Sequence, residues 1–279
     1  MEKTFLFSVD LEDVRERFEG GMRYAPRVPL MVARYLAFLD KHGFKATFFT
    51  VGQTAEANPD VIRSIVGAGH EIALHSMYHT PVADLGKERF RDDVAKNIEV
   101  LTKLGAPAIK GFRAPCLSMT KDTAWAYEAM GQCGLTYSSS VLPANSPLYG
   151  WPDHGGGIKE HGGVTELPVT ILRMPNVPCA AGIYFRTLPR VLIKRGFDAA
   201  AHNGQAVVGY FHPYDIDEGQ ERFMHPDLNG NPFFSPFFNF LMYYNRGSVF
   251  PKLEVLIAQG WRIMRYDEFL GQRITHAHD

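Results

Sequence analysis

The stretch Glu71-Ile72-Ala73-Leu74-His75-Ser76-Met77-Tyr78-His79-Thr80-Pro81 sets two histidines directly after a short apolar run. The run reads as a buried strand that delivers the histidines at its C-terminal end. If His75 to His79 form one helical turn, their spacing puts both imidazoles on one face, where neutral ring nitrogens can grip a divalent ion. Two histidines alone are a weak sign, read as easily as packing or surface residues. A catalytic metal needs a third protein ligand and an open position for water.

Working outward from this stretch, apolar runs alternate with segments of helical periodicity. Residues 5–9, 45–51, 71–74, 108–112, 135–139, 166–171, 206–211 and 261–264 read as strands. Residues 30–42, 58–67, 87–104, 120–131, 188–203 and 249–259 read as helices, and 141–163, rich in Gly, Pro and Asn, as a long surface excursion. This alternation predicts an α/β fold with a parallel sheet. Polar clusters recur where strands end, which favours a distorted (β/α) barrel over an open sheet. The absence of a glycine fingerprint after the first strand argues against a dinucleotide fold. We expect one domain over residues 1–279, with residues 216–279 as an aromatic-rich C-terminal extension packed on the barrel.

Composition narrows the class. With 29 basic and 30 acidic residues the formal net charge is -1, so nothing electrostatic favours nucleic acid or an anionic membrane, and function should reside in a local site. Cys116, Cys133 and Cys179 are odd in number, widely spaced and lack a CxxC pair, which points away from a disulfide framework and toward a reducing compartment. Residues 1–10 show no leader-like apolar region, and no run approaches the ~18 apolar residues of a spanning helix. The expectation is a cytoplasmic, soluble protein with no transmembrane segment.

At the strand ends lie Asp10, Glu12 and Asp13 after the first strand, His75 and His79 after the third, Arg113 after the fourth, and His212 after residues 206–211. A carboxylate, two histidines and water would form an open metal site. A second carboxylate could take the water's proton, a separate histidine could protonate a leaving amine, and an arginine would hold the base ionised. This is the equipment of metal-assisted amide hydrolysis.

In these motifs the chain resembles the polysaccharide deacetylase family, the NodB-homology carbohydrate esterases. The acidic first motif is matched by residues 8–13, the His-x-x-x-His motif by His75 and His79, the Arg-x-Pro motif by Arg113-Ala114-Pro115, and the hydrophobic-His motif by Phe211-His212. The subgroup whose first motif reads Val-Asp-x-Glu-Asp is the most similar. The resemblance implies a distorted barrel of the NodB type, with Asp10 as general base, His75 and His79 as ligands of a divalent metal (zinc, with cobalt or nickel as alternatives), Arg113 orienting Asp10, and His212 as general acid. It implies that the backbone N–H of Cys116 stabilises the acyl oxygen. It further implies that the substrate is a carbohydrate, polymeric or lipid-linked, from which N-acetyl or similar N-acyl groups are removed.

Two departures stand out. The third ligand is displaced: Glu12 shares Asp10's side of a strand by period two, whereas Asp13 would serve if the chain turns at Leu11. The fourth motif, Tyr137-Ser138-Ser139-Ser140, has serine where relatives often carry Asp, so no carboxylate partner for His212 is evident there. Tyr184 and Arg186 could line the sugar pocket, or pack and pair at the surface. The aromatic stretch at 223–244 could be a lid, a dock for a lipid-linked substrate, a patch for a second copy of the chain, or packing against the barrel. Two other functions stay open: an allantoinase-like cyclic-amide hydrolase, and a carbohydrate-binding protein that has lost catalysis.

Overall fold

A computed structural model describes residues 3–17, 19–174, 176–222 and 235–277. In chain order the first half runs β1 (Thr4–Leu11), α1 (Val28–Lys41), β2 (Thr47–Thr50), α2 (Gly52–Ala57), α3 (Pro59–Gly67), β3 (Glu71–Leu74), α4 (Val82–Lys103), β4 (Gly111–Phe112), α5 (Ala126–Gln132) and β5 (Tyr137–Ser138). The second half runs β6 (Lys159–His161), β7 (Val164–Glu166), β8 (Ile171–Leu172), β9 (Val177–Pro178), α6 (Gly182–Thr187), α7 (Arg190–His202), β10 (Val207–Phe211), α8 (Ser235–Tyr243), α9 (Val249–Ala258), β11 (Arg262–Met264) and α10 (Tyr266–Ala277).

β1 is buried along its whole length, and its two faces serve different layers. Phe5, Phe7, Val9 and Leu11 pack into the main core with the helices, whereas Leu6 joins Phe49, Tyr137, Val208 and Tyr266 inside the curled sheet. By the strand's period of two, Ser8 and Asp10 lie on Leu6's side.

The strand order is β10-β1-β2-β3-β4-β5-β7-β6, with β11 also paired to β1. All pairings along it are parallel except β6 with β7. The expected distorted barrel is thus a curled half-barrel. Irregular chain covers the free edge of β10: Thr170 N–H donates to Val208 O at 3.0 Å, and Tyr210 N–H to Ala180 O at 3.1 Å. Gly209 is required there, since a Cβ would lie 2.1 Å from Ala180 O.

Three expectations change. Residues 216–279 do more than cover the barrel, because β11 pairs with Thr4–Leu6 of β1 and Tyr266 stacks on Tyr137 inside the sheet. The 141–163 excursion carries β6 and buries Val141, Ala144 and His154. The histidine segment is not a helical turn, since Ser76 and His79 have φ of 65° and 55°. Side chains on α4 shape it instead: Asp93 accepts from Met77 N–H at 3.0 Å and Ser76 Oγ at 3.1 Å, and Asn97 donates to Ser76 O at 2.9 Å. Such side-chain bonds offer the backbone an alternative to the helical ladder.

Candidate active site and metal centre

At the end of β1, Glu12 N–H donates to Asp10 O at 3.1 Å, closing a tight turn at Leu11. The chain therefore does turn at Leu11, yet it is Glu12 that meets the histidines. Its Oε2 lies 2.6 Å from His79 Nε2. Asp13, the alternative ligand, points elsewhere. Its carboxylate is gripped by Arg15, through Nε at 3.0 Å and Nη2 at 2.6 Å, so it is not brought to the cluster.

Glu12, His75 and His79 each offer one ligand atom, all within 4.8 Å of one another. His75 Nδ1 sits 2.8 Å from Arg113 O, so its N–H is used there and the Nε2 lone pair faces the cluster. Burial pushes the His75 pKa down to about 4, which keeps the ring neutral. Burial would raise the Glu12 carboxyl, but His79 and Arg17 outweigh it and hold the pKa well below the usual range. Its Oε2 is buried without an aligned hydrogen-bond donor, despite the close His79 contact. A buried, ionised oxygen left without a donor suits a cation, and two imidazoles plus a carboxylate form a recognised open-site donor set for zinc.

Asp10 faces Arg113 across the curled sheet. Arg113 is fully buried, and its guanidinium has five donors. They reach Asp10 Oδ1 (2.7 Å), Ser8 Oγ (2.6 Å), Ser139 O (2.8 Å), Ser139 Oγ (2.8 Å) and Tyr266 OH (2.8 Å). The guanidinium also lies 4.0 Å above the Phe49 ring. Burial opposes its charge, yet Asp10 and Tyr266 together outweigh burial and the pKa rises. The serines of the fourth motif thus build the socket of Arg113, and Ser140 Oγ accepts from Ala114 N–H at 2.8 Å.

The carboxylate partner of His212 comes from its own turn. Asp215 Oδ2 lies 2.9 Å from His212 Nδ1 and accepts His212 N–H at 2.9 Å. Burial lowers the His212 pKa, but the Asp215 hydrogen bond and charge prevail and raise it. Burial likewise opposes ionisation of Asp215, and Arg186 followed by His212 overcomes it, leaving Asp215 at about 2. Gly182 makes room, since a Cβ there would sit 2.9 Å from Asp215 Oδ2.

Arg186 requires a correction. It is fully buried, with Nε 2.9 Å from Asp215 Oδ1 and Nη1 donating to the carbonyls of Leu241 and Tyr244. It lines the base of the cleft beside Asp215, which it positions, and does not pair at the surface. Tyr184, 37% exposed, does line the cleft. So do Asp10, His75, His79, Cys116, His212, Leu148 and Met242, around a volume of about 230 Å³. Cys116 holds a left-handed φ of 56°, and burial pushes its thiol pKa up, away from nucleophilic use. Of the aromatic stretch, Phe238 reaches the cleft while Phe237 and Phe240 are exposed on α8; Phe233 and Phe234 lie outside the described residues.

Sequence reasoning missed Asp215, Tyr266 and Arg17. Asp215 had a signal, its position three residues after His212 in a Pro-containing turn, the spacing at which a side chain bonds back to the backbone. Tyr266 and Arg17 had none.

A curled parallel half-barrel with its carboxylates and histidines gathered at the strand ends has the layout of NodB-type deacetylases. Residues 18–137 match the family profile Polysaccharide deacetylase, which makes that segment a polysaccharide deacetylase domain, and residues 139–270 match a domain of unknown function, DUF3473. A Bacillus cereus peptidoglycan-N-acetylglucosamine deacetylase is 35% identical over 105 residues, covering 37% of this chain and 36% of the relative. A Sinorhizobium fredii chitooligosaccharide deacetylase is 31% identical over 88 residues, covering 31% and 41%. The match therefore spans well under half of each relative. Among solved structures, a Mycobacterium smegmatis protein assigned to the polysaccharide deacetylases aligns with a TM-score of 0.65 at 20% identity, covering 99% of this chain and 92% of that one. A CE4 family pseudoenzyme from Bacillus anthracis aligns at 0.53 with 14% identity, covering 96% and 65%. At these identities the structural matches speak for the fold alone. Among the described residues no helix is long and apolar enough to cross a membrane.

Proposed function

We propose that this chain is a metal-dependent hydrolase that removes N-acetyl or similar N-acyl groups from amino sugars of a bacterial surface polysaccharide or its precursor. One observation carries the reading: the Asp10–Arg113 pair, the Glu12/His75/His79 cluster and the His212–Asp215 pair converge on a single cleft. Glu12, His75 and His79 would hold the divalent ion, with zinc, cobalt and nickel as candidates, and Cys116 N–H would support the acyl oxygen. Such an ion lowers the pKa of water and polarises an acyl oxygen.

The side chains do the rest. Asp10 Oδ1 is tied to Arg113, which leaves Oδ2 to accept a proton from the attacking water. His212 Nδ1–H is spent on Asp215, so Nε2 carries the proton given to the departing nitrogen as the C–N bond breaks. Acetate and a free amino sugar result. The features that favoured a binding protein without catalysis have lost their force, because Asp215 and Glu12 supply the acids whose places were in doubt. A second opening, lined by Gln53 and Tyr78, meets the main cleft at Arg17, His79 and Cys116. That suits an extended glycan better than a small cyclic amide. The three free cysteines accord with action in the cytoplasm.

The test is acetate release from N-acetylated oligosaccharides by the purified chain. Zinc, cobalt or nickel should support release and chelation should stop it; ring opening of a cyclic amide without acetate release would overturn the assignment.

Asp215→Asn should lower kcat by roughly 10²-fold, the scale of a mispositioned proton donor. The sign of the pH effect follows from the pair. Asp215 raises the His212 pKa, and the reaction needs His212 protonated, so the variant should lose activity at lower pH than the wild type. A kcat profile with an unmoved alkaline limb would contradict the role of Asp215.

A further inference from the structure

The geometry points to Arg17 as the residue that selects a carboxylated sugar, a uronic acid, beside the acylated amine; this rests on the deacetylase reading above. Arg17 closes a short 3-10 turn, Val14–Arg17, immediately after the acidic end of β1. Its side chain lines both openings of the cleft, between the side bearing Tyr184 and Met242 and the side bearing Gln53 and Tyr78.

What distinguishes Arg17 is spare donor capacity. It makes one contact to Glu12 Oε1 at 3.3 Å and one to Cys116 Sγ at 3.8 Å. Charge-assisted N–H···O bonds are usually about 2.7–2.9 Å long, so the Glu12 contact is loose, and the side chain stays 27% exposed where it lines the cleft. The other arginines of this region are committed or shut away. Arg113 spends all its donors, Arg15 forks onto Asp13, and Arg186, bound to Asp215, leaves only a fully buried Nη2 without a partner. The groups facing Arg17 are Glu12 from the end of β1, Cys116 from the loop after β4, and Tyr214 from the turn after β10. Neighbouring Glu16 is turned to Thr54 Oγ1 at 2.9 Å.

Charge balance gives Arg17 a second partner to find. Asp10 pairs with Arg113, Asp215 with Arg186 and Glu12 with Arg17, so the paired floor of the cleft is neutral. A divalent ion at Glu12, His75 and His79 adds two positive charges. The negative charge that develops on the acyl oxygen is offset as Asp10 takes the water's proton, so the positive excess stays. Such an ion would also draw on the Glu12 carboxylate and loosen that carboxylate's hold on Arg17. A planar guanidinium with free donors at a cleft wall matches a carboxylate in charge and in fork geometry.

Binding is measured on zinc-loaded Asp10→Asn protein, so that turnover does not interfere. The ligands are a hyaluronan hexasaccharide, which alternates N-acetylglucosamine with glucuronic acid, and the same hexasaccharide with its carboxyl groups reduced. The acidic form should bind about tenfold more tightly at low salt, and less selectively as salt rises. Arg17→Gln should bring the two affinities within about twofold, and Arg17→Lys, which keeps the charge and loses the fork, should fall between. A purely structural Arg17, serving only to steady Glu12, would alter zinc affinity in Arg17→Gln and leave the acidic-to-reduced ratio unchanged; that result overturns the inference. Equal affinity of the parent protein for both ligands also overturns it. Acetate release by wild-type protein is scored separately. Its absence from both ligands, with the binding preference intact, would refute the deacetylase reading and leave the carboxylate selection standing.

Discussion

Asp10→Asn is expected to reduce acetate release by roughly 10³-fold or more while bound metal stays at the wild-type level. The amide keeps an oxygen to accept from Arg113 Nη1, now at 2.7 Å from Asp10 Oδ1, so the socket of Ser8, Ser139 and Tyr266 should survive. What disappears is the proton acceptor. Metal analysis and a thermal melt beside the rate measurement separate these effects. Residual activity near wild type would remove Asp10 from the mechanism, and loss of metal together with activity would place it among the ligands. Replacing Arg113 is a poorer test, because its removal leaves a buried carboxylate unpaired, at a cost of about 3–5 kcal/mol in folding.

Glu12→Gln should strip the metal and with it activity, whereas Asp13→Asn should retain both. If each ligand supplies an even share of the ~10–16 kcal/mol known for four-ligand zinc sites, losing the Glu12 charge weakens binding on the order of 10²-fold or more. Asp13 is bound to Arg15 and offers no atom to the histidines. Its substitution should leave zinc in place but cost about 3 kcal/mol of stability, because the pair with Arg15 is largely buried. Zinc content after dialysis checks both variants. Retention of zinc by Glu12→Gln and its loss from Asp13→Asn would reverse the ligand assignment.

Much of the fold was legible because β1 to β3 are apolar runs bounded by polar residues and glycine, and β3 was read with its observed limits, Glu71–Leu74. Later strands were harder. β4, β5 and β8 contain two residues each, too few for a period-two pattern to emerge. The helices α2, α6, α8 and α10 were missed. α8 is apolar almost all round, and α6 is under two turns long, so neither shows a polar and an apolar face.

The contrast between Tyr184 and Arg186 shows the same limit within one turn. Both were read alike, as residues that either line the pocket or pack and pair at the surface, because the segment that carries them resembles one in the family. On α6, residues two apart point to nearly opposite sides, so both line the cleft but Tyr184 does so from the exposed rim and Arg186 from the buried base, against Asp215.

By itself the sequence determined which residues stand at the strand ends: the acids after β1, the histidines after β3, Arg113 after β4 and His212 after β10. Those placements follow from local periodicity, since each lies immediately beyond a run of apolar residues. The tertiary structure alone decided which of these groups are partners. Glu12 and not Asp13 joins the histidines because Arg15 captures Asp13. Ser139 serves Arg113 across 26 residues, and Arg186 reaches Asp215 across 29. Arg17 keeps unused donors because no acid besides Glu12 comes within its reach among the described residues. A side chain's partner depends on what distant chain is folded against it, and period and spacing carry no information about that.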